Sequence, residues 1–290
     1  MNDKIKIILS MAAFGTISLF VRSIPLTSAE VALSRAVIAL ICLLIWQAAR
    51  RQPLRLGAMG RDLPLLFLSG AAMGFNWIFL FEAYRYTTVS VATLSYYFAP
   101  VIVMLLSPAL FRERLTKRQI ICFIGSTLGL VLVINVSGGG ASPNHLKGVA
   151  FGLAAAALYA TVVLMNKGIR RVSGIDRTIL QFAAAAVVLL PYVLLTTGLH
   201  FEAMDGTGWL CLICVGILHS GAAYVLYFSA LRTLPGQEAA ILSYIDPLVA
   251  VLVSLILLGE PVTPLQLLGG AMILAFTLAN EIRPRRASGG

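Results

Sequence analysis

Ten apolar runs, each near the length of a membrane span and bounded by Arg, Lys, Gly or Pro, account for almost all of the chain. They fall near residues 4–22, 27–48, 63–85, 90–111, 117–136, 147–167, 176–197, 207–231, 237–258 and 264–282. Because ~20 apolar residues at a rise of ~1.5 Å cross the ~30 Å hydrocarbon core, the pattern predicts an all-α membrane protein of ten transmembrane helices, with no room for a soluble domain. Segment 137–143 reads Ser-Gly-Gly-Gly-Ala-Ser-Pro and is the one stretch of flexible-linker composition. It divides the chain into a first five-helix repeat (1–136), a linker (137–146) and a second five-helix repeat (147–290).

The halves are related in sequence. Aligning 83–119 with 230–266 without a gap gives 11 identities in 37 positions, among them Arg85/Arg232, Tyr97/Tyr244, Pro100/Pro247, Ser107/Ser254, Glu113/Glu260, Thr116/Thr263 and Gln119/Gln266. Five spans per copy is an odd number, so the two copies must enter the membrane from opposite sides.

Composition agrees with a membrane chain: 59% of residues are hydrophobic and 12% charged, with a mean hydropathy of +0.91, against roughly 45–50% and 25% in soluble domains. The net charge of +10 does not imply nucleic acid, because the basic residues sit between apolar runs and form no separate face. They report orientation instead. With the N-terminus cytoplasmic, 18 Lys and Arg fall on that side, Arg22, Arg85 and Lys147 on the other, and Arg35 within a span. This places a multi-pass protein in the cell (inner or cytoplasmic) membrane with both termini cytoplasmic. The inversion shows in one pair of connectors: Arg112-Glu-Arg-Leu-Thr-Lys-Arg118 is basic, whereas Gly259-Glu-Pro-Val-Thr-Pro-Leu265 has lost every basic residue. Inverted repeats of this kind belong to secondary transporters, in which two similar halves rock about one central site. The N-terminal run following Lys4 and Lys6 looks superficially like a signal peptide, but with nine spans after it a retained first helix is the simpler reading. Cys42, Cys122, Cys211 and Cys214 lie inside apolar runs without a ligand cluster, so no metal is expected.

The doubled pattern of Tyr97-x-x-Pro100, Glu113, Thr116 and Gln119, repeated at Tyr244-x-x-Pro247, Glu260, Thr263 and Gln266, resembles the EamA family of the drug/metabolite transporter superfamily, and Arg35 resembles a recurring arginine of that family. The resemblance covers nearly the whole chain. It implies a ten-helix exporter or importer of small metabolites drawn from amino acids, sugars and lipophilic compounds. The family mostly carries neutral residues at the positions of Asp246, Glu82 and His219, so no particular substrate carries over.

The residues themselves point to a site near the midplane. Pro100 and Pro247 lie about ten residues into their spans, and each deprives the carbonyl four residues back, at Tyr96 and Ser243, of its helical partner. In lipid, such groups are satisfied by protein or by a water-filled cavity. Around the prolines, Tyr96, Tyr97, Ser243, Tyr244 and Asp246 form polar and aromatic stripes, extended by Thr93, Met104, Ser107 and Ser254. Asp246 is the sharpest candidate. A carboxylate at a helix centre costs ~2.5–3.5 kcal/mol on insertion scales, so it carries a proton or substrate, or else forms a structural ion pair with Arg35. His219, near the middle of the eighth span, is a candidate substrate ligand or proton relay to Asp246, or a packing histidine. Asn76 and Trp77 lie at similar depth in the third span. Glu82 is a candidate gate or site residue nearer the outer end, where Arg85 snorkels to the headgroups. Glu113 and Glu260 end equivalent helices too close to the surface to hold a substrate, and capping or pairing with loops suits them better.

The sequence therefore predicts a secondary transporter of small metabolites, amino acids or related compounds first and drugs second, working by alternating access as an exporter, with protons as a candidate coupling ion and no cofactor. No phosphate-binding Gly-rich motif is present, so energy must come from a gradient or from exchange. A passive facilitator with a structural Asp246 is the alternative. An intramembrane enzyme using His219, Asp246 and a hydroxyl is a remote third, which leaves the repeat unexplained. Substrate, direction and oligomeric state stay open.

Overall fold

A computed structural model describes residues 2–51, 60, 62–111, 115–135, 143–169, 171–172, 174–231, 233–234 and 236–281, and all regular structure among them is helical. The expectations for the segment 137–142, for Glu113 and for nine of the orienting arginines (Arg55, Arg61, Arg112, Arg114, Arg170, Arg232, Arg283, Arg285 and Arg286) lie outside these residues.

In chain order the helices are α1 (Asp3–Val21), α2 (Ser28–Ala49), α3 (Leu63–Tyr86), α4 (Val89–Tyr96), α5 (Ala99–Phe111), α6 (Lys117–Asn135), α7 (Pro143–Gly168), α8 (Gly174–Thr196), α9 (Gly206–Gly216), α10 (Ala223–Ala230), α11 (Gly236–Ser243), α12 (Ile245–Leu252) and α13 (Pro264–Glu281). Two π-helical turns, Ile217–Ala222 and Val253–Leu257, extend α9 into α10 and α12 toward α13. Among the described residues, seven helical stretches are long and apolar enough to cross a membrane: Asp3–Val21, Ser28–Ala49, Leu63–Tyr86, Val89–Leu110, Asn144–Gly168, Gly174–Thr196 and Gly206–Ala230. Ile241–Leu257 and Pro264–Asn280 are apolar but shorter. Large apolar side chains such as Leu195, Ile256, Ile45 and Leu210 stand exposed, which suits lipid and not water.

Local chemistry sets the helix starts. Thr27 and Glu30 form a reciprocal capping box at α2, and Thr88 caps α4 through the Val91 N–H. The repeated Thr and Gln do the same work twice. At α6 the Thr116 N–H donates to Gln119 Oε1 at 2.8 Å and the Gln119 N–H to Thr116 Oγ1 at 3.3 Å; at α13 the Thr263 N–H donates to Gln266 Oε1 at 3.0 Å and the Gln266 N–H to Thr263 Oγ1 at 3.2 Å. These identities are therefore two copies of one cap.

Packing between the halves is reciprocal. α1 lies against α10, α11 and α12 of the second half, while α7 lies against α3, α4 and α5 of the first; α2 pairs with α8 and α6 with α13. Glycine permits two of the closest approaches. A Cβ on Gly15 would stand 2.5 Å from the Asp246 carbonyl oxygen, and Cβ atoms on Gly129 and Gly269 would each stand within 2.6 Å of the other's carbonyl. Small residues let membrane helices meet at backbone distance.

Candidate functional site

The first half's broken helix stops at Tyr96 and restarts at Ala99; the second half's stops at Ser243 and restarts at Ile245. Each break lies just before its proline. With no N–H at Pro100 or Pro247, the ladder skips a rung, and the chain tightens there: Phe98 N–H donates to the Ser95 carbonyl at 3.2 Å and Tyr244 N–H to the Ile241 carbonyl at 3.2 Å. The two breaks face each other across a cavity of about 660 Å³.

The cavity wall includes Tyr96, Tyr97, Pro100, Ser243, Tyr244 and Asp246, so six of the sequence candidates come together. Tyr97 Oη donates to Asp246 Oδ2 at 2.8 Å, joining the two halves at the site. The Tyr96 and Tyr97 rings meet at 6.0 Å between centroids, Tyr97 and Tyr244 at 6.4 Å, and Tyr96 and Tyr159 at 5.5 Å. The wall also contains Gln119, Lys167 and Asn280, which lie in the first turn of α6, the last turn of α7 and the last turn of α13. Arg118, which donates to the Ala279 carbonyl, puts the α6 and α13 ends side by side. The cavity thus runs from mid-helix toward that end of the bundle.

Glu260 stands at the opposite end. Its carboxylate accepts from Arg22 Nη1 at 2.5 Å, from the Val89 N–H at 2.8 Å and from Ser254 Oγ at 2.5 Å. Arg22 Nη2 also donates to the Tyr84 and Thr87 carbonyls at 2.7 and 2.8 Å. One cluster therefore ties the end of α1, the α3–α4 junction and the segment before α13.

The other candidates lie off this wall. Asn76 is buried and its Nδ2 donates to the Ala155 carbonyl at 2.6 Å, joining α3 to α7. Trp77 is buried under the Arg35 guanidinium, 4.4 Å above its ring centroid. Glu82 is half-buried in α3 and is not part of the wall. His219 is fully buried in the first π turn, with Nδ1 3.0 Å from the Cys214 carbonyl and Nε2 3.1 Å from Thr16 Oγ1. The carbonyl can only accept, so Nδ1 carries the proton. The suggested ion pair between Arg35 and Asp246 is not formed: no such contact within 4.0 Å occurs. Arg35 instead donates from Nε to Ser220 Oγ at 2.7 Å, and Ser220 Oγ donates to the Val215 carbonyl at 3.0 Å. The π turn, which apolar periodicity does not reveal, is what turns Ser220 toward the arginine.

Sequence reading missed Tyr159, Lys167 and Tyr227 on the wall. The signal for two of them is a stripe on α7, Tyr159, Val163 and Lys167, at the i, i+4, i+8 spacing of one helix face.

Comparison with known proteins gives the family and the fold. The model of the EamA-like transporter family matches twice, over residues 4–135 and 146–280. The uncharacterised transporter YxxF of Bacillus subtilis is 30% identical over 93% of this chain and 86% of its own, and an uncharacterised transporter of Archaeoglobus fulgidus is 31% identical over 94% and 93%. The threonine/homoserine exporter RhtA of Escherichia coli is 28% identical over 80% of this chain and 75% of its own. A solved crystal structure with 20% identity covers 99% of this chain and 98% of its own at a TM-score of 0.65, which shows a shared fold. The chain belongs to the EamA-like transporter family.

Proposed function

We propose that this member of the EamA-like transporter family is a secondary transporter of small metabolites, amino acids or related compounds, which it exports by alternating access. It spans the cell membrane ten times as a 5+5 inverted repeat with both termini cytoplasmic. The reciprocal packing of the halves and the double family match support that architecture. The observation that carries the function is the cavity between the two broken helices, open toward Lys167 and Asn280 and closed by the Glu260 cluster. With the N-terminus inside, this is an inward-facing state, ready to load from the cytoplasm. The likeness to a threonine/homoserine exporter favours outward movement of amino acids.

Asp246 is the coupling residue in this reading, since it is the one carboxylate among the described residues on the wall and changes its access to water as the halves rock. Asp246→Asn keeps the shape and removes titration. In proteoliposomes it abolishes pH-driven transport and leaves some solute-for-solute exchange, weakened by the lost charge; wild-type pH dependence in that variant would overturn the coupling role. A second reading, a facilitator or exchanger with a structural Asp246, draws support from the Tyr97 bond, which gives the carboxylate a partner without any ion. It requires Asp246→Asn to lose folding together with transport.

A further inference from the structure

The same cavity carries a statement about what it holds, one that rests on the transporter reading above. Asp246 has two oxygens, each able to accept more than one hydrogen bond, and Tyr97 takes one position on Oδ2. Around it stand tyrosine rings from three separate elements: Tyr96 of α4 and Tyr97 beside it, Tyr159 of α7, and Tyr244 between α11 and α12, linked ring to ring at 5.5–6.4 Å. A carboxylate among aromatic faces is the arrangement that receives an ammonium group, because the negative π faces attract a cation within ~6 Å of the centroid. The wall's cation is Lys167. It lies eight residues beyond Tyr159 on α7, about 12 Å along the axis at ~1.5 Å per residue. The lysine therefore belongs to the open end of the cavity, and none of the other described residues that share the wall with Asp246 is a cation.

We infer that the solute is recognised through a protonated nitrogen, held by Asp246 and caged by Tyr96, Tyr97, Tyr159 and Tyr244, and that a carboxylate on the solute is dispensable. The substrate class is then small primary amines together with amino acids. Proton and ammonium use one carboxylate, so binding weakens as pH falls through the titration of Asp246, whereas a site that merely tolerates amines lacks that dependence.

The test uses purified full-length protein in proteoliposomes with four probes: threonine, 1-amino-2-propanol, N-acetylthreonine and lactate. The first two differ by the carboxylate, the third lacks the cationic nitrogen, and the fourth is an anion. Expected is uptake and binding of threonine and 1-amino-2-propanol within severalfold of each other, and at least a ~10-fold loss for N-acetylthreonine and lactate, the scale of a lost charged contact. Tyr97→Phe, which removes only the hydroxyl, weakens amine binding while the folded protein is retained, and Asp246→Glu preserves the preference for amines. Transport of N-acetylthreonine or lactate as well as the amines, or of threonine without 1-amino-2-propanol, overturns the amine assignment and leaves the transporter reading standing. Absence of binding and movement for all four overturns the amine assignment together with the proposed export of amino acids.

Discussion

Replacing Glu260 by Gln should loosen one end of the bundle and leave the cavity itself untouched. The Glu260 side chain is 11% exposed and that of Arg22 29%, so the pair is more sheltered than a surface ion pair, whose net worth is ~0.2–1 kcal/mol. Glutamine keeps one carbonyl oxygen for the Val89 N–H or the Ser254 hydroxyl, but it cannot serve the Arg22 guanidinium as a carboxylate does. A hydrogen bond to a charged group contributes ~1.5–3 kcal/mol, and taking ~2 kcal/mol from the closed state multiplies the population open at this end about 30-fold. Ser243→Cys, on the cavity wall, reports that population in a background without Cys42, Cys122, Cys211 and Cys214. A membrane-impermeant thiol reagent added from the Glu260 side should label it about 30-fold faster when Glu260→Gln is present. An unchanged labelling rate, accompanied by lower thermal stability, would refute the gate and make the cluster a static staple.

Single cysteines at Asp3, Ser142 and Ser288 should show external labelling only at Ser142 in whole cells; labelling at Ser288 would reverse the proposed orientation. Gly15→Leu should cost about 1–3 kcal/mol of overpacking and abolish transport, because its Cβ meets the Asp246 backbone at 2.5 Å; full activity with unchanged Tm would contradict the close α1–α12 contact. His219→Gln should lower stability by about 1–3 kcal/mol, the desolvation cost of a buried polar partner left unsatisfied, with an unaltered pH profile of transport. A displaced pH profile would restore His219 as a proton relay.

The helices and the two breaks were legible because their causes are local: apolar runs of span length, and prolines that remove a rung of the ladder at a fixed place. Tyr97 and Asp246 were both visible as candidates, but their contact was not, since it joins residues 149 positions apart. Arg35 shows the limit from the other side. A buried arginine and a buried aspartate suggest each other in a sequence, yet Ser220 and Trp77 are nearer, and they are nearer because a π turn rotates Ser220 out of α-helical register. Asn76 and Trp77 meet the Ala155 carbonyl and the Arg35 guanidinium and are not part of the cavity wall, an orientation that apolar helices with little periodicity do not disclose.

The repeated residues separate into two kinds once their surroundings are compared. Thr116 with Gln119 and Thr263 with Gln266 make the same cap in both copies, so that motif serves folding and is indifferent to the state of the bundle. Ser107 and Ser254 are equally matched in sequence and both are buried, but Ser254 donates to Glu260 while Ser107 lies on the cavity wall. A role that differs between copies of one residue measures the asymmetry of the conformation rather than any difference in the sequence. Under the proposed alternating access, the transition to the opposite state exchanges these surroundings: Ser254 becomes a wall residue and Ser107 leaves the wall. On that reading, the pair is the place where two related copies record which side of the membrane the cavity faces.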